Sequence, residues 1–162
     1  QITGAASIGR DITERKRAEA ALRESEEKFR GFFQGAAEGI LVSTVETMKF
    51  VYANPAVCRM LGYTEEELVH LGVSDIHPQQ DLEMVVTVFM AQSRGERTLA
   101  PAIPCLCKDG TTLYADIKAN RLVVGGKDCI VGFFTDITER QRAEEKVHES
   151  DELVRLLLDS IP

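Results

Sequence analysis

Cysteine and histidine are the residue types in this sequence that could carry catalytic or metal chemistry. The cysteines are Cys58, Cys105, Cys107 and Cys129. They are scattered over a chain whose size does not require disulfides, so we expect reduced thiols. Cys105 and Cys107 are one residue apart and share a face if they lie in a strand. Because no second pair of Cys or His at metal-ligand spacing accompanies them, we predict no metal site.

The three histidines give no reason to expect an enzyme in this segment. His70 and His148 are expected on helix surfaces, and His77, which precedes Pro78, is expected to pack or to form a local hydrogen bond. None of them has a neighbour suited to general acid–base catalysis. The sequence also lacks a nucleophile elbow with a Ser-His-Asp order and a phosphate loop of the GxxxxGK[ST] type. We therefore predict no catalytic residue.

The composition limits the possible partners. The chain has 162 residues, 44% of them apolar, and a formal net charge of −7, which suits one core of ordinary size and some helix outside it. Basic residues alternate with acidic ones, so we expect neither nucleic acid nor an anionic membrane as a partner. The sequence contains neither a run of about 18 apolar residues, which a membrane-spanning helix would need, nor the pattern of a signal peptide. We expect a cytoplasmic segment of a longer protein, without direct membrane contact.

Two stretches of the sequence repeat each other. Residues 11–37 and 136–162 align without a gap and are identical at 12 of 27 positions. The repeat predicts a parent protein that strings similar domains at a spacing near 125 residues. The predicted division is the last strand of a preceding domain of the same kind (1–10), a linker helix (11–25), a complete domain (26–137), a second linker helix (138–158) and the start of a following domain (159–162).

Both repeated stretches have the pattern of an amphipathic helix with a heptad seam. Apolar or small residues recur at alternating steps of four and three. They are Ala18, Leu22, Ser25, Phe29 and Phe32 in the first helix, and Ala143, Val147, Ser150, Val154 and Leu157 in the second. A surface helix packed on its own domain and a parallel coiled coil between two chains both fit this pattern. We favour the coiled coil, and with it a homodimer through the linker helices.

The start of each linker helix carries a predicted signal junction. Thr13 and Thr138 are predicted to be N-caps of the two helices. Asp136 ends the preceding strand and is predicted to pair with Arg140 in the first helical turn, which would fix the angle at which the helix leaves the sheet.

The complete unit is predicted to have the element order β-β-α-α-α-β-β-β. Two short strands precede Asn54, three helical segments follow up to residue 94, and turns at 108–110 and 125–126 separate three further strands. Thr64 and Glu67 form a capping-box pattern. Pro101 and Pro104 indicate that the third strand is bent or lies near an edge. We expect an α+β fold, a five-stranded antiparallel sheet with helices on one face, flanked by the two linker helices.

The motifs of this unit resemble those of a known family. FVYANPAVCRMLGYTEEEL, then HP, then KDGTTLYADIKANRLVVGGKDCIVGFFTDITERQRAEE are similar to PAS domains with their C-terminal PAC portion. The resemblance covers about residues 25–145. It implies a sensory or relay module that couples changes in its core, or in a bound ligand, to linker-helix orientation. It also implies neighbouring PAS and output domains in the same chain, of a sensor histidine kinase or, alternatively, of a cyclic-di-nucleotide synthase.

PAS domains similar to this one hold small ligands between the sheet and the helices. Strand alternation and the resemblance together predict the lining of such a site. The predicted residues are Tyr52, Asn54, Cys58, Leu61, Ile76, Val85, Phe89, Ile103, Cys105, Ile117, Ala119, Ile130, Gly132 and Phe134. Bulky side chains among them could fill a small core, so relay without a cofactor is slightly favoured over binding of a small organic molecule, and both remain open.

Haem and flavin are disfavoured as cofactors. The flavin-reactive cysteine of photoactive PAS domains would lie after Gly62-Tyr63, where this chain reads LGVSDIHP without a cysteine. An axial histidine for haem would be expected on the helix at residues 81–94, which contains none. No cofactor is predicted.

Overall fold

The computed structural model describes residues 2 to 161, with side chains from residue 9 onward. It divides into two compact units, one up to Ala36 and one from Ala37 onward. The first unit is a single helix, α1 (Ile2–Gly35).

Helix α1 differs from two of the predictions. Residues 2–10, predicted to be a strand, are helical, because a helix satisfies its own backbone hydrogen bonds whereas a strand needs a neighbouring strand. Thr13 therefore lies inside the helix and is not an N-cap, and its Oγ1 donates to the Gly9 carbonyl at 2.8 Å. The division of the parent chain into successive domains stays a prediction.

The second unit has the predicted order of strands and helices. Two strands are followed by helices and then by three longer strands. The elements are β1 (Gly39–Thr44), β2 (Phe50–Ala53), α2 (Pro55–Leu61), α3 (Glu65–Leu68), α4 (Leu82–Ser93), β3 (Leu99–Leu106), β4 (Thr112–Val124), β5 (Lys127–Asp136) and α5 (Thr138–Asp159), with 3-10 turns at Val73–Ile76 and Gln79–Asp81.

The five strands form one antiparallel sheet in the order β2-β1-β5-β4-β3. The predicted turns join the three long strands. Gly110 ends the first turn with a φ of 87°, and Gly125 and Gly126 have φ values of 56° and 78°, which suits a two-residue hairpin loop. β3 is an edge strand, as its prolines predicted.

Helices α2 to α4 and the 3-10 turns supply the other half of the core. Alternate residues of β4, from Leu113 to Ala119, are buried, and Val85 and Phe89 of α4 belong to the same buried cluster. The predicted capping box of α3 is present, since Thr64 Oγ1 accepts from the Glu67 amide and Glu67 Oε1 accepts from the Thr64 amide. The predicted α+β architecture is confirmed.

Candidate functional site

A small cavity of about 50 Å³ lies in the core of the second unit. A buried water needs roughly 10–15 Å³ measured in this way, and a cavity that holds benzene measures about 150 Å³. The space therefore accepts a few waters or a ligand of a few non-hydrogen atoms. Nine of the predicted residues line it: Ile76, Val85, Phe89, Ile103, Ile117, Ala119, Ile130, Gly132 and Phe134.

The other five predicted residues do not line the cavity. Leu61 and Cys105 are completely buried in the core away from it, and Cys58 is half-buried on α2. Tyr52 is 49% exposed, because it lies on the outward side of its strand. Asn54 is buried, but its side chain is used as the cap of α2: Oδ1 accepts from the amides of Val57 and Ile40, and Nδ2 donates to the carbonyl of residue 38.

Strand β1, which was not included in the predicted site, forms part of the wall. Its position between β2 and β5 brings Leu41 and Ser43 to the cavity. Ile40 and Val42 are buried as well, so an apolar–polar alternation could not have identified which residues of this strand face inward. Five of the remaining lining residues come from β2, the 3-10 turn, α4 and β3, and were also missed; they are Phe50, Val73, Val88, Gln92 and Ala100.

His77 is a further lining residue that was predicted only to pack or to bond locally. Its Nδ1 lies 2.7 Å from the Pro104 carbonyl, and because a carbonyl only accepts, this nitrogen carries the hydrogen. Burial lowers the pKa of His77, against the opposing effects of the Pro104 hydrogen bond and the Asp81 charge. The imidazole is thus neutral at pH 7 and connects the turn after Ile76 to β3.

Gln92 makes a second connection across the core. Its Nε2 donates to the carbonyl of Ile117 at 3.2 Å and to that of Thr98 at 3.3 Å. Since Gln92 is buried on α4 and Ile117 is on β4, this amide holds the helix to the sheet. Together with His77 and Ser43, it gives an otherwise apolar cavity three polar side chains.

The four cysteines are free thiols. Burial raises the pKa of Cys58, Cys105 and Cys107. Because the thiolate is the nucleophile and the metal ligand, these groups are poorly suited to either role. Across the part of the chain that the structure describes, no three His, Cys, Asp or Glu side chains are grouped as a metal site.

The cavity does not fit haem or flavin. A haem macrocycle or a flavin ring system is several times larger than a space of about 50 Å³. Helix α4 carries no histidine, and the segment from Leu71 to Pro78 carries no cysteine. The cavity therefore lacks the volume for either group, α4 lacks an axial histidine for haem, and the segment from Leu71 to Pro78 lacks the thiol for flavin photochemistry.

The junction between β5 and α5 is a hydrogen-bonded network. Asp136 Oδ1 accepts from the Thr138 amide at 2.9 Å and from the Thr138 hydroxyl. The same hydroxyl oxygen accepts from the Tyr114 amide of β4 at 3.1 Å, and the Tyr114 carbonyl accepts from the Ile137 amide. The predicted N-cap role of Thr138 is therefore wrong: Asp136 receives the free helical amide, and Thr138 joins the helix to the sheet.

Arg140 does not pair with Asp136. Its Nη2 lies 3.2 Å from Asp116 Oδ2 on β4. The register of the sheet places Ala115 opposite Asp136, and Thr138 already uses Asp136 Oδ1. The helix is thus attached to β4 through both Thr138 and Arg140.

The linker helices expose their seam residues. Ala18 is exposed on α1, and Leu22, Phe29 and Phe32 are 60%, 68% and 78% exposed. On α5, which the structure describes throughout, no side chain is buried. Its exposed apolar residues are Val147, Leu153, Val154, Leu156, Leu157 and Leu158. Among the described residues, no helix is both long and apolar enough to cross a bilayer.

The five-stranded antiparallel sheet with helices over one face has counterparts among known proteins. A family model described as PAS domain matches residues 37–139. Sporulation kinase E of Bacillus subtilis is 29% identical over 147 residues, and the sensor histidine kinase TmoS of Ectopseudomonas mendocina is 28% identical over 140. The matches cover 91% and 84% of this chain but only 19% and 14% of those proteins.

Solved structures show the same fold. The crystal structure of the PAS domain of an HTR-like protein from Haloarcula marismortui matches with a TM-score of 0.65 and 24% identity, over 75% of this chain and 99% of that one. The chain belongs to the PAS domain family. It is homologous to parts of sensor histidine kinases and has a role in signal transduction.

Proposed function

We propose that this chain is the signal-relay module of a bacterial sensor histidine kinase, acting in the cytoplasm as part of a homodimer. The observation that carries the proposal is the junction network: Asp136, Thr138 and Tyr114 join the last strand, the first turn of α5 and β4 by hydrogen bonds. A shift of the sheet therefore changes the direction of the helix that leaves it. Such a helix biases a two-state output by reorienting.

The relay is tested in the parent kinase with Asp136→Ala. The substitution removes the acceptor for the Thr138 amide and hydroxyl, so we expect autophosphorylation of the parent with ATP to lose its dependence on the upstream signal. Thr138→Ser keeps the hydroxyl and serves as the matched control, with wild-type regulation expected. Unchanged regulation in Asp136→Ala would refute the relay. If the parent makes a cyclic dinucleotide and forms no phosphohistidine, the relay function would stand and the assignment of the parent as a histidine kinase would be wrong.

The sequence of α5 supports a parallel two-stranded dimer. In the heptad of α5, Val147 and Val154 occupy position a, and Leu157 occupies a d position. β-branched residues at a with Leu at d favour two strands. The exposure of Val147 and Val154, at 61% and 51%, leaves this surface available to a second chain.

The charges beside the seam favour the same arrangement. Lys146 is at position g and Asp151 at position e, which meet between the two chains of a parallel pair. In an antiparallel pair, the e positions of the two chains would meet each other and bring Glu144 and Asp151 together as like charges. The equivalent seam on α1, with Ala18, Leu22, Phe29 and Phe32, is proposed to pair in the same way.

The dimer is tested by a charge placed on the seam. Val147→Asp and Val154→Asp on α5, combined with Leu22→Asp and Phe29→Asp on α1, should give a monomer, because the carboxylates buried in both seams would have no partner. His148→Asp adds a carboxylate at the residue after Val147, outside the seam, and should leave the dimer intact. Sedimentation velocity at equal concentrations distinguishes the two variants, and a dimer that persists in the combined variant would show that the interface lies elsewhere.

Ligand sensing is the second candidate, favoured by the cavity and its three polar side chains. Ser43, His77 and Gln92 suit a small uncharged molecule that forms hydrogen bonds, since the lining carries no charged side chain. Native mass spectrometry of the purified chain is the test. A retained organic molecule would support sensing, whereas a mass equal to that of the polypeptide, unchanged by added small alcohols or amides, would leave relay alone.

A further inference from the structure

Strand β3 contains a bulge opposite Asp116. The ladder pairs Ala100 with Ile117 and Ile103 with Ala115. Two residues of β3, Pro101 and Ala102, therefore face one residue of β4, Asp116. Such a bulge disrupts the ladder and leaves backbone groups that need other partners.

The bulge is held by a side chain rather than by the ladder. Pro101 has no amide hydrogen, and Ala102 has a φ of 51°, a left-handed conformation that residues with a Cβ disfavour. The Ala102 amide donates to Asp116 Oδ1 at 2.9 Å. The carboxylate thereby stabilises a backbone conformation that the local sequence does not favour.

The second oxygen of the same carboxylate holds α5. Asp116 Oδ2 lies 3.2 Å from Nη2 of Arg140, in the first turn of the helix. The Asp116 side chain is only 24% exposed, whereas that of Arg140 is 60% exposed. A partly buried carboxylate is therefore shared between the bulge and the helix.

The bulge also adjoins the cavity. Ala100 and Ile103, which flank the two bulged residues, both line it, and the carbonyl of Pro104 accepts from His77. A change in the cavity wall at β3 thus moves Ile103, which follows Ala102 directly, and Ala100, which is two residues before it.

We propose that Asp116 is a positioning residue that couples the β3 bulge at the cavity wall to the base of α5, as one carboxylate shared by the Ala102 amide and the Arg140 guanidinium. When the bulge relaxes, the Ala102 amide leaves Oδ1, the carboxylate reorients, and Arg140 loses its partner on β4. This proposal rests on the relay function and assigns it a second route, separate from the Asp136–Thr138 contact.

The test is amide hydrogen exchange measured by NMR on the whole chain. The Arg140 side chain does not contact the bulge, yet Arg140→Gln should raise the exchange rate of the Ala102 amide by roughly three- to ten-fold. A factor of this size corresponds to the weakening of one hydrogen bond. Conversely, Asp116→Asn keeps an acceptor for Ala102 but loses the charge for Arg140, and should raise exchange in the first turns of α5 by a similar factor. A purely structural role for Asp116 would not transmit the Arg140 change to Ala102.

Asp128→Asn is the matched control. Asp128 of β5 pairs with Arg121 of β4 at 3.0 Å. This ion pair involves neither the β3 bulge nor α5, so exchange at Ala102 and in α5 should stay as in the wild type. Unchanged exchange at Ala102 in Arg140→Gln would refute the coupling through Asp116. The relay function would stand in that case, because its own test is the regulation of the parent kinase in Asp136→Ala.

Discussion

Replacing Asp136 by alanine should loosen α5 without unfolding the core. The carboxylate accepts from the Thr138 amide at 2.9 Å and from the Thr138 hydroxyl, so its removal costs about as much as the loss of a helix cap, roughly 1–2 kcal/mol. That free energy corresponds to a factor of about 5–30 in a local opening equilibrium. Because no side chain of α5, described in full, is buried, the opening is confined to the helix.

Hydrogen exchange followed by NMR measures this effect directly. In Asp136→Ala, the amides from Gln141 onward in the first two turns of α5 should exchange about 5–30 times faster, while Ile117 in the core keeps its wild-type rate. Both proteins are compared in the background of the combined seam variant (Leu22→Asp, Phe29→Asp, Val147→Asp and Val154→Asp), so that a second chain does not protect the α5 amides from exchange. Equal acceleration at Ile117 and in α5 would mean that the junction stabilises the whole unit, and the reasoning from a locally attached helix would be wrong.

Two further predictions concern buried polar side chains. Burial holds the pKa of His77 below its ordinary value of 6.5, so the unfolded chain takes up a proton more readily than the folded chain. The free energy of unfolding should therefore fall as the pH decreases from 7 to 5. In urea titrations His77→Gln should show a smaller fall over this range, and a fall equal to that of the wild type would contradict the burial of a neutral His77. Asn54→Ala leaves the buried Ile40 and Val57 amides without their acceptor and should lower the free energy of unfolding, measured in urea, by about 2–4 kcal/mol. Asn120 is exposed, so the control Asn120→Ala should change this free energy by less than about 0.5 kcal/mol. Similar losses for the two variants would refute the role given to Asn54.

The element order was predictable because each boundary has a local signal. Asp109-Gly110 and Gly125-Gly126 mark the hairpin turns, and Thr64 with Glu67 marks the start of α3. These signals depend on residues close together in the sequence, so they can be interpreted without knowledge of the tertiary structure. A strand was predicted at residues 1–10, but residues 2–10 are helical. The prediction failed because a strand depends on a distant partner, which the local pattern does not specify.

The site was predictable only where alternation is clear. Ile117 and Ala119 alternate with polar residues along β4, and both line the cavity. Leu41 was missed because β1 is buried on both faces and because its pairing with β5, distant in sequence, has no local signal. The partner of Arg140 was assigned wrongly for the same reason: Asp116 is brought to it by the register between β4 and β5, whereas Asp136 was only closer in sequence.

The pairing of β1 with β5 has a consequence for how such proteins are assembled. Gly39, the first residue of β1, lies opposite Phe134, near the end of β5. The first and last strands of the sheet in sequence order are adjacent, so the chain enters and leaves the sheet at nearby positions. Domains whose ends lie close together tolerate insertion into a longer polypeptide. Such a placement would suit the predicted parent, in which domains of this kind follow one another along the chain and the junction sequence recurs at a spacing of 125 residues.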